Sequence, residues 1–275
     1  MIKENKISTI KDIKPLVTGL GNDSSKVKFG NVLANPYNTT FLCAKRKSGK
    51  TSVLAEILDK TSNKNTIFWV FCPTTNIDES WKTIITKLQD KGCLVNIFDS
   101  IMEGKKNQLN EIVDALSKGC DNESEPETKP IKKLICDTVQ EEQKEKKERK
   151  PKKISPEHIF CFDDISSELK NPAVNKLLKM SRHLKASVYL SFQYAMDIRP
   201  EAWVQAQYCI LFKSFSEEKL QHVYKYLDLS LDFEKFKELY QYVMKDNRGV
   251  NYNFLFIDVK EQLYRKNFNK ELSLE

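Results

Sequence analysis

The stretch Thr39–Ser52, with the sequence TTFLCAKRKSGKTS, combines the three parts of a phosphate-binding unit. Its first five residues are apolar or β-branched, which is typical of a short buried strand. Ala44–Thr51 then has the spacing of a P-loop, with alanine in place of the first glycine. From Gly49 to Lys60 the apolar residues recur at helical spacing. Because N–H groups at such a helix start bind phosphate, the stretch predicts a nucleotide-binding strand, loop and helix.

The residues of this loop have separate predicted roles. A side chain at Gly49 would collide with the phosphate, so glycine is needed there. Lys50 is expected to reach the β- and γ-phosphates, and Thr51 to place its hydroxyl group on Mg²⁺. The predicted nucleotide-binding residues are Ala44, Lys45, Arg46, Lys47, Ser48, Gly49, Lys50, Thr51 and Ser52. The expected cofactors are ATP and Mg²⁺. A small GTPase is not expected, because Asn63–Asn65 is followed by Thr66 instead of the aspartate that completes a guanine-binding motif.

A second apolar strand, Ile159–Phe162, ends in two adjacent carboxylates, Asp163 and Asp164. Open α/β sheets bind ligands at the carboxyl ends of their strands, so we expect this pair beside the phosphate loop. Asp163 is predicted to hold the magnesium shell, usually through water, with Thr51 as the other metal-binding residue. Asp164 is predicted to polarise the attacking water as a general base. Two aspartates after a strand are often only a turn, and it is the P-loop that favours the catalytic interpretation.

Short apolar strands and amphipathic helices alternate along most of the chain. Continuous apolar strands separated by helices are typical of a parallel sheet that is covered on both faces. The predicted fold is therefore α/β, with a mostly parallel sheet and helices on both faces. Together with the P-loop and the acidic pair, it is predicted to be a P-loop NTPase with a RecA-like ASCE core. The predicted organisation is an N-terminal extension at 1–35, an ATPase domain at 36–268 and a C-terminal tail at 269–275. A lysine-rich stretch at about 120–157 has too few apolar residues to offset its ordering entropy and is interpreted as a charged insertion.

Polar residues around the next apolar strand complete the set of candidate catalytic residues. Gln193 closes the strand Ser187–Phe192, where it would point at the γ-phosphate or the water and sense hydrolysis. Arg182 is the first candidate for an arginine that completes a neighbouring subunit's site. Such arginines contribute about 10³–10⁵ in rate where they are known. Arg199 is the second candidate and Arg248 the third. The alternative for each arginine, and for Gln193 taken alone, is an ordinary surface residue.

Composition limits the class of protein. The net charge of +7 favours a polyanionic partner without establishing one, since a charge run is usually a solvated face. The seven cysteines form no Cys-x-x-Cys pair, which favours reduced core thiols over a zinc site. The longest apolar runs fall far below the ~20 residues that cross a bilayer. The first residues contain no apolar segment of a signal peptide. We therefore expect a protein that has no membrane span and is not secreted.

The chain resembles the viral DNA-packaging ATPases of the FtsK–HerA superfamily, especially the poxvirus-type packaging ATPase of large DNA viruses and virophages. The resemblance rests on three motifs in order: AKRKSGKTS, IFCFDD and SRHLKASVYLSFQ. In that family an acidic pair ends the Walker B strand, an Arg-His precedes the next strand and a glutamine closes it. These features are present here as Asp163–Asp164, Arg182–His183 and Gln193. The resemblance covers roughly 39–268, and the alanine at 44 and the charged insertion depart from the family pattern.

The resemblance implies a ring-forming ATPase that pumps double-stranded DNA into a preformed capsid. The implied partners are double-stranded DNA, bound through its phosphates without sequence preference, further copies of the chain in a homo-oligomeric ring, and capsid or portal vertex proteins. The implied location is the host cell cytoplasm, in the viral factory, and also the virion.

Three other functions share parts of this pattern. A P-loop nucleoside or nucleotide kinase would need a lid with several arginines, whereas the insertion contains only Arg149. A non-hydrolysing scaffold would use the nucleotide only to hold an oligomer together, and the intact pair Asp163–Asp164 argues against it. A DNA helicase shares the same core, and a strand-displacement assay separates it from a packaging motor.

Overall fold

The strands predicted from the sequence assemble into one central sheet with helices on both faces. The computed structural model describes residues 23–121, 153–213, 216–245 and 252–273. In that part of the chain the strands are β1 Thr39–Cys43, β2 Ile67–Phe71, β3 Leu94–Phe98, β4 Met102–Glu103, β5 Lys106–Asn107, β6 His158–Phe162, β7 Ala186–Phe192, β8 Tyr208–Phe212, β9 Phe254–Asp258, β10 Leu263–Lys266 and β11 Lys270–Leu272. The helices are α1 Lys50–Thr61, α2 Glu79–Asp90, α3 Gln108–Asp121, α4 Pro172–Met180, α5 Pro200–Trp203, α6 Glu217–Leu227 and α7 Phe233–Met244.

The order of the strands brings the two predicted motifs to one edge of the sheet. Within the described residues, nine strands form the sheet in the order β11-β10-β9-β8-β1-β7-β6-β2-β3. The strands from β8 to β3 in this order are parallel, whereas β9, β10 and β11 pair antiparallel. The register pairs Cys43 with Phe192 and Phe162 with Leu190, so β1, β7 and β6 end at the same edge. We call it the carboxyl edge. The predicted fold class, α/β with a mostly parallel sheet, is confirmed.

Apolar side chains fill both faces of the sheet. Successive residues of a strand point to opposite faces, so Phe41 lies in one core and Leu42 in the other. The core around Leu42 includes Leu54 of α1 and Trp81 of α2, and the core around Phe41 includes Leu177 of α4. Burying one large apolar side chain contributes about 1.5–3 kcal/mol. Burial on both faces is the physical reason for the continuous apolar runs of the strands.

A local hydrogen bond and an apolar stripe fix helix α2. The side chain of Asp78 accepts a hydrogen bond from the backbone N–H of Ser80 at 2.7 Å and caps the helix. A cap of this kind contributes about 0.5–2 kcal/mol. Trp81, Ile84 and Leu88 are buried at helical spacing and attach the helix to the sheet. The first turn of α2 is thereby held at the carboxyl edge, close to where β2 ends.

Three features of the fold were not predicted from the sequence. A two-stranded hairpin, β4 with β5, precedes α3. The C-terminal region forms an antiparallel meander, in which β11 at 270–272 pairs with β10 inside the predicted tail. In the predicted N-terminal extension, Val27, Val32 and Leu33 are buried, and Val27 forms a bridge with Ile154. The domain limits stay a prediction, and most of the predicted insertion lies outside the described residues. No described helix has both the length and the apolar character that crossing a membrane requires.

Candidate functional site

The predicted phosphate loop connects the end of β1 to the start of α1. Gly49 is the N-terminal cap of α1 and has a left-handed backbone, with φ of +86° and ψ of 7°. This conformation is accessible to glycine at little cost and unfavourable for most other residues. The backbone N–H of Ala44 donates to the carbonyl of Phe192 at 3.0 Å, which ties the loop to β7. The methyl group of Ala44 is buried in the apolar core, so the alanine fits where the P-loop pattern has glycine.

An open cavity lies over the loop at the carboxyl edge. The other eight predicted nucleotide-binding residues all line it, together with groups from two neighbouring segments. Its lining is Lys45, Arg46, Lys47, Ser48, Gly49, Lys50, Thr51, Ser52, Thr74, Asp78, Ser80 and Asp164. The basic side chains and the start of α1 make this cavity suitable for an anion.

Asp163 is buried and surrounded by three hydrogen-bond donors. The ammonium group of Lys50 lies 2.7 Å from Oδ1 of Asp163, and the hydroxyl group of Ser191 donates to the same oxygen at 2.5 Å. The indole N–H of Trp81 donates to Oδ2 at 3.0 Å. The side chain of Asp163 is 2% exposed and that of Lys50 10%. A buried carboxylate is costly unless it is paired and hydrogen-bonded, and here both oxygens have donors.

Asp164, in contrast, faces the open cavity. Its side chain is 37% exposed, and Oδ1 lies 3.7 Å from the ammonium group of Lys50. The hydroxyl group of Thr74 lies 3.3 Å from Oδ2 and donates to it. The backbone of Asp164 is left-handed, with φ of +53°, a conformation that aspartate tolerates better than most residues. The turn therefore separates two adjacent carboxylates into a buried one and one that solvent and ligand can reach.

The donor set fits a magnesium ion. Mg²⁺ prefers oxygen ligands, keeps several waters, and is usually bound through one or two carboxylates together with substrate phosphates. The structure places Thr51, Asp163 and Asp164 around the phosphate loop, and the hydroxyl and carboxylate groups are such ligands. In the described part of the chain, no group of three His, Cys, Asp or Glu side chains offers an alternative metal site.

A thiol beside the site is not available as a nucleophile. Cys72 follows β2, and its sulfur lies 3.3 Å from the hydroxyl oxygen of Thr74. Burial raises the pKa of Cys72 to about 11. Because the thiolate is the reactive form, this cysteine stays protonated and unreactive near neutral pH.

The structure separates the remaining candidate residues. Gln193 follows β7, which lies between β1 and β6, so it is at the carboxyl edge with the loop. Arg182 precedes β7 and lines a cavity with Thr39 at the opposite edge. The five residues of β1 separate the two edges by about 16 Å, so Arg182 lies far from its own chain's loop. Arg199 lies near the carboxyl edge, where its Nε donates to the carbonyl of Lys170 at 2.6 Å. Arg248 is outside the described residues.

Two residues that hold Asp163 were missed in the sequence. Trp81 has the helical spacing of a core residue, so nothing in its local pattern distinguishes it from one. Ser191 is a polar residue next to the end of β7, a strand in which Ser187 is the other serine. A serine near the carboxyl end of the strand beside β6 is a signal from which a hydrogen bond to Asp163 could have been predicted.

The chain is similar to known proteins in structure, whereas comparison by sequence finds no match. No family model matches the chain, and no curated protein matches it. Among solved structures, the genome packaging NTPase B204 from Sulfolobus turreted icosahedral virus 2 in complex with AMP has a TM-score of 0.53 at 17% identity. That match covers 84% of this chain and 97% of the other. The same protein in complex with AMPPCP has a TM-score of 0.50 at 17% identity, with the same coverage.

The DNA-packaging ATPase B204 from Sulfolobus Turreted Icosahedral Virus also matches, with a TM-score of 0.50 at 14% identity. This alignment covers 88% of the present chain and 100% of B204. At such identities the likeness extends to the arrangement of strands and helices. The chain therefore has the α/β fold of the P-loop NTPases, with a mostly parallel central sheet.

Proposed function

We propose that this chain is a Mg²⁺-dependent ATPase that translocates double-stranded viral DNA into a preformed capsid. The observation that carries the proposal is that the ammonium group of Lys50 lies close to the carboxylates of Asp163 and Asp164 at the phosphate loop. The distances are 2.7 and 3.7 Å, across residues that are more than 100 positions apart in the chain. The fold likeness to packaging NTPases and the three ordered sequence motifs support the choice of DNA packaging among the functions of P-loop enzymes.

The loop and Lys50 bind the triphosphate in this proposal. Backbone N–H groups at the start of α1 surround the phosphate oxygens. Lys50 leaves Asp163 and pairs with the β- and γ-phosphates, so that the ion pair of the ligand-free protein is exchanged for a similar one. Thr51 and Asp163 hold Mg²⁺, which neutralises charge on the phosphates when it is bound. Ser191 and Trp81 keep the carboxylate of Asp163 oriented during this exchange.

Three side chains act on the reacting groups in this proposal: Asp164 on the water, Gln193 on the γ-phosphate, and an arginine of a neighbouring subunit on the transition state. Asp164 is the exposed carboxylate of the pair, and it accepts the proton of the water as the oxygen attacks the γ-phosphorus. The bond from the γ-phosphorus to the β–γ bridging oxygen breaks, and ADP is the leaving group. Gln193 senses the γ-phosphate from the end of the neighbouring strand. An arginine of an adjacent subunit, first of all Arg182, neutralises charge in the transition state. The position of Arg182 at the edge opposite the loop supports action on a neighbour, because it lies far from its own chain's site.

The proposal includes a homo-oligomeric ring around the DNA. Contacts to the DNA phosphates make binding independent of sequence and strongly dependent on salt. Capsid or portal vertex proteins are the proposed docking partners, and the host cytoplasm and the virion are the proposed locations.

Steady-state ATP hydrolysis with and without double-stranded DNA tests the proposal. Wild type is compared with Asp164→Asn and with Asp90→Asn, an exposed aspartate at the far end of α2, about 18 Å along the helix. We expect hydrolysis that DNA stimulates and salt weakens, abolished in Asp164→Asn and kept in Asp90→Asn. Hydrolysis that ignores DNA would contradict the packaging motor. Transfer of phosphate to a nucleoside or nucleotide would indicate a kinase, and strand displacement a helicase.

A further inference from the structure

One aromatic side chain lies directly against the phosphate loop and has no role in the phosphate chemistry. An ideal Cβ atom placed on Gly49 would lie 3.1 Å from Cδ1 of Tyr252. The ring of Tyr252 therefore contacts the N-terminal cap of α1. Tyr252 is nevertheless 63% exposed, so a large part of this residue faces solvent beside the loop. An exposed aromatic side chain at this point is open to a ligand that already occupies the loop.

The topology puts Tyr252 and the acidic pair on opposite sides of the loop. Asp163 follows β6, which lies two strands from β1 on one side. Tyr252 precedes β9, which lies two strands from β1 on the other side. Phe212 at the end of β8 pairs with Phe254 at the start of β9, so Tyr252 is at the carboxyl edge too. With strands about 4.8 Å apart, the two flanks lie on the order of 10 Å from β1.

This arrangement fixes the orientation of a bound nucleotide across the carboxyl edge. The terminal phosphate lies toward Asp163 and Asp164, where the water is activated. The rest of the molecule must then lead away from β6, past the loop, toward β8 and β9. The ribose and the base come after the α-phosphate and are therefore carried toward the flank where Tyr252 lies. A flat, partly apolar ring offers a base a stacking surface that does not depend on its hydrogen-bonding edge.

We propose that the ring of Tyr252 is the stacking platform for the nucleobase. The proposal rests on the function proposed above, because it takes the phosphate loop as the site of the triphosphate. It adds a base subsite on the β9 flank. Since stacking uses the face of the base, ATP and GTP are held alike, and any discrimination between them comes from other contacts.

Titration calorimetry with two ligands tests the base subsite on the full chain in Mg²⁺. One ligand is ATP, and the other is inorganic tripolyphosphate, which has the phosphates and no base. The variants are Tyr252→Ala and Tyr252→Phe. The matched control is Tyr242→Ala, which removes a tyrosine that is 61% exposed on α7. We expect Tyr252→Ala to weaken ATP binding about 5- to 100-fold and to leave tripolyphosphate binding unchanged. Tyr252→Phe and Tyr242→Ala should bind both ligands as wild type does.

Each other outcome has one meaning. Unchanged ATP binding by Tyr252→Ala overturns the base subsite and leaves the ATPase proposal intact. An equal loss for ATP and tripolyphosphate also overturns it, because the ring then acts on the shape of the loop. If wild type binds neither ligand, the proposed function itself fails, and the base subsite fails with it.

Discussion

Replacement of Lys50 by methionine is expected to destabilise the ligand-free protein strongly. The substitution keeps most of the side-chain length and removes the charge that lies 2.7 Å from the buried Asp163. Breaking a buried ion pair by removing one partner costs about 3–5 kcal/mol, because the other charge is left uncompensated. Ser191 and Trp81 still donate hydrogen bonds to the carboxylate, so we expect a loss near the lower end, about 3 kcal/mol.

A double-mutant cycle isolates the contribution of the pair. The free energy of unfolding is measured by urea titration with circular dichroism, without nucleotide or Mg²⁺, for Lys50→Met, Asp163→Asn and the double variant. Once the carboxylate is neutral, the methionine leaves no buried charge unpaired. The double variant should therefore lose less than the sum of the two single losses, by about 2 kcal/mol.

A more exposed pair with the same distance between its charged atoms is the control. Lys237 lies 2.7 Å from Glu217, and the side chains are 23% and 61% exposed. The equivalent cycle, Lys237→Met with Glu217→Gln, should give a coupling below about 1 kcal/mol, because solvent screens the pair. The reasoning fails if the losses at Lys50 and Asp163 add to within about 0.5 kcal/mol, or if both pairs couple equally.

Three further changes have distinct expected effects. Gly49→Ala, at φ of +86°, and Gly92→Ala, at φ of +87°, should each lose about 1–2 kcal/mol of stability in urea unfolding, whereas only Gly49→Ala should lose ATP binding. Nucleotide binding that survives Gly49→Ala would contradict the prediction that the phosphate loop requires glycine at this position. Trp81→Phe removes the N–H that holds Asp163, so the Mg²⁺ concentration for half-maximal hydrolysis should rise about 10-fold or more, and an unchanged value would contradict this role. The folded-state pKa of Cys72, about 11 against an ordinary 9.0, means that the folded protein keeps a proton which the unfolded chain loses, so Cys72 should contribute about 1 kcal/mol to the loss of stability between pH 8 and pH 10. Burial also raises the pKa of Cys43, Cys161 and Cys209, and these thiols add to the loss. Cys72→Ala should show a smaller fall, and an equal fall would show that other groups cause it.

The central architecture could be predicted because local patterns and global fold agree. The apolar run Ile67–Phe71 is typical of a buried strand in its length and composition, and the spacing of Trp81, Ile84 and Leu88 is typical of a helix. The alternation of strands and helices then favours a parallel sheet, and the P-loop identifies β1 as its nucleotide-binding strand. The structure confirms the strands, the helices and the mostly parallel sheet, whereas nucleotide binding at β1 stays a prediction.

The hairpin, the C-terminal meander and the support of Asp163 could not be predicted, because they depend on contacts between distant segments. The hairpin β4–β5 has two residues in each strand, too few to show any period. The strands β10 and β11 are half-exposed and contain many polar residues, so their sequence resembles that of an unstructured tail. That Trp81 donates to Asp163 follows from the packing of α2 against β6, which no residue spacing reveals.

The arginine candidates show the same limit. Their order of preference rests on neighbouring residues in the chain, whereas the role of each arginine depends on the edge of the sheet where it lies. Arg182 lies at the edge opposite the loop, and Arg199 near the loop's own edge. Arg182 precedes β7 and Arg199 follows it, so their opposite edges follow from the sequence once the strand is identified, but the subunit on which each one acts does not.

Displacement of a third strand from a triplex by the full chain tests the central claim most directly. A motor that moves along a duplex strips a short third strand ahead of it, and hydrolysis without movement does not. We predict displacement by wild type that requires hydrolysable ATP and Mg²⁺ and leaves the duplex strands paired, with no displacement by Asp164→Asn. ATP hydrolysis at full rate with the third strand still bound would contradict the account.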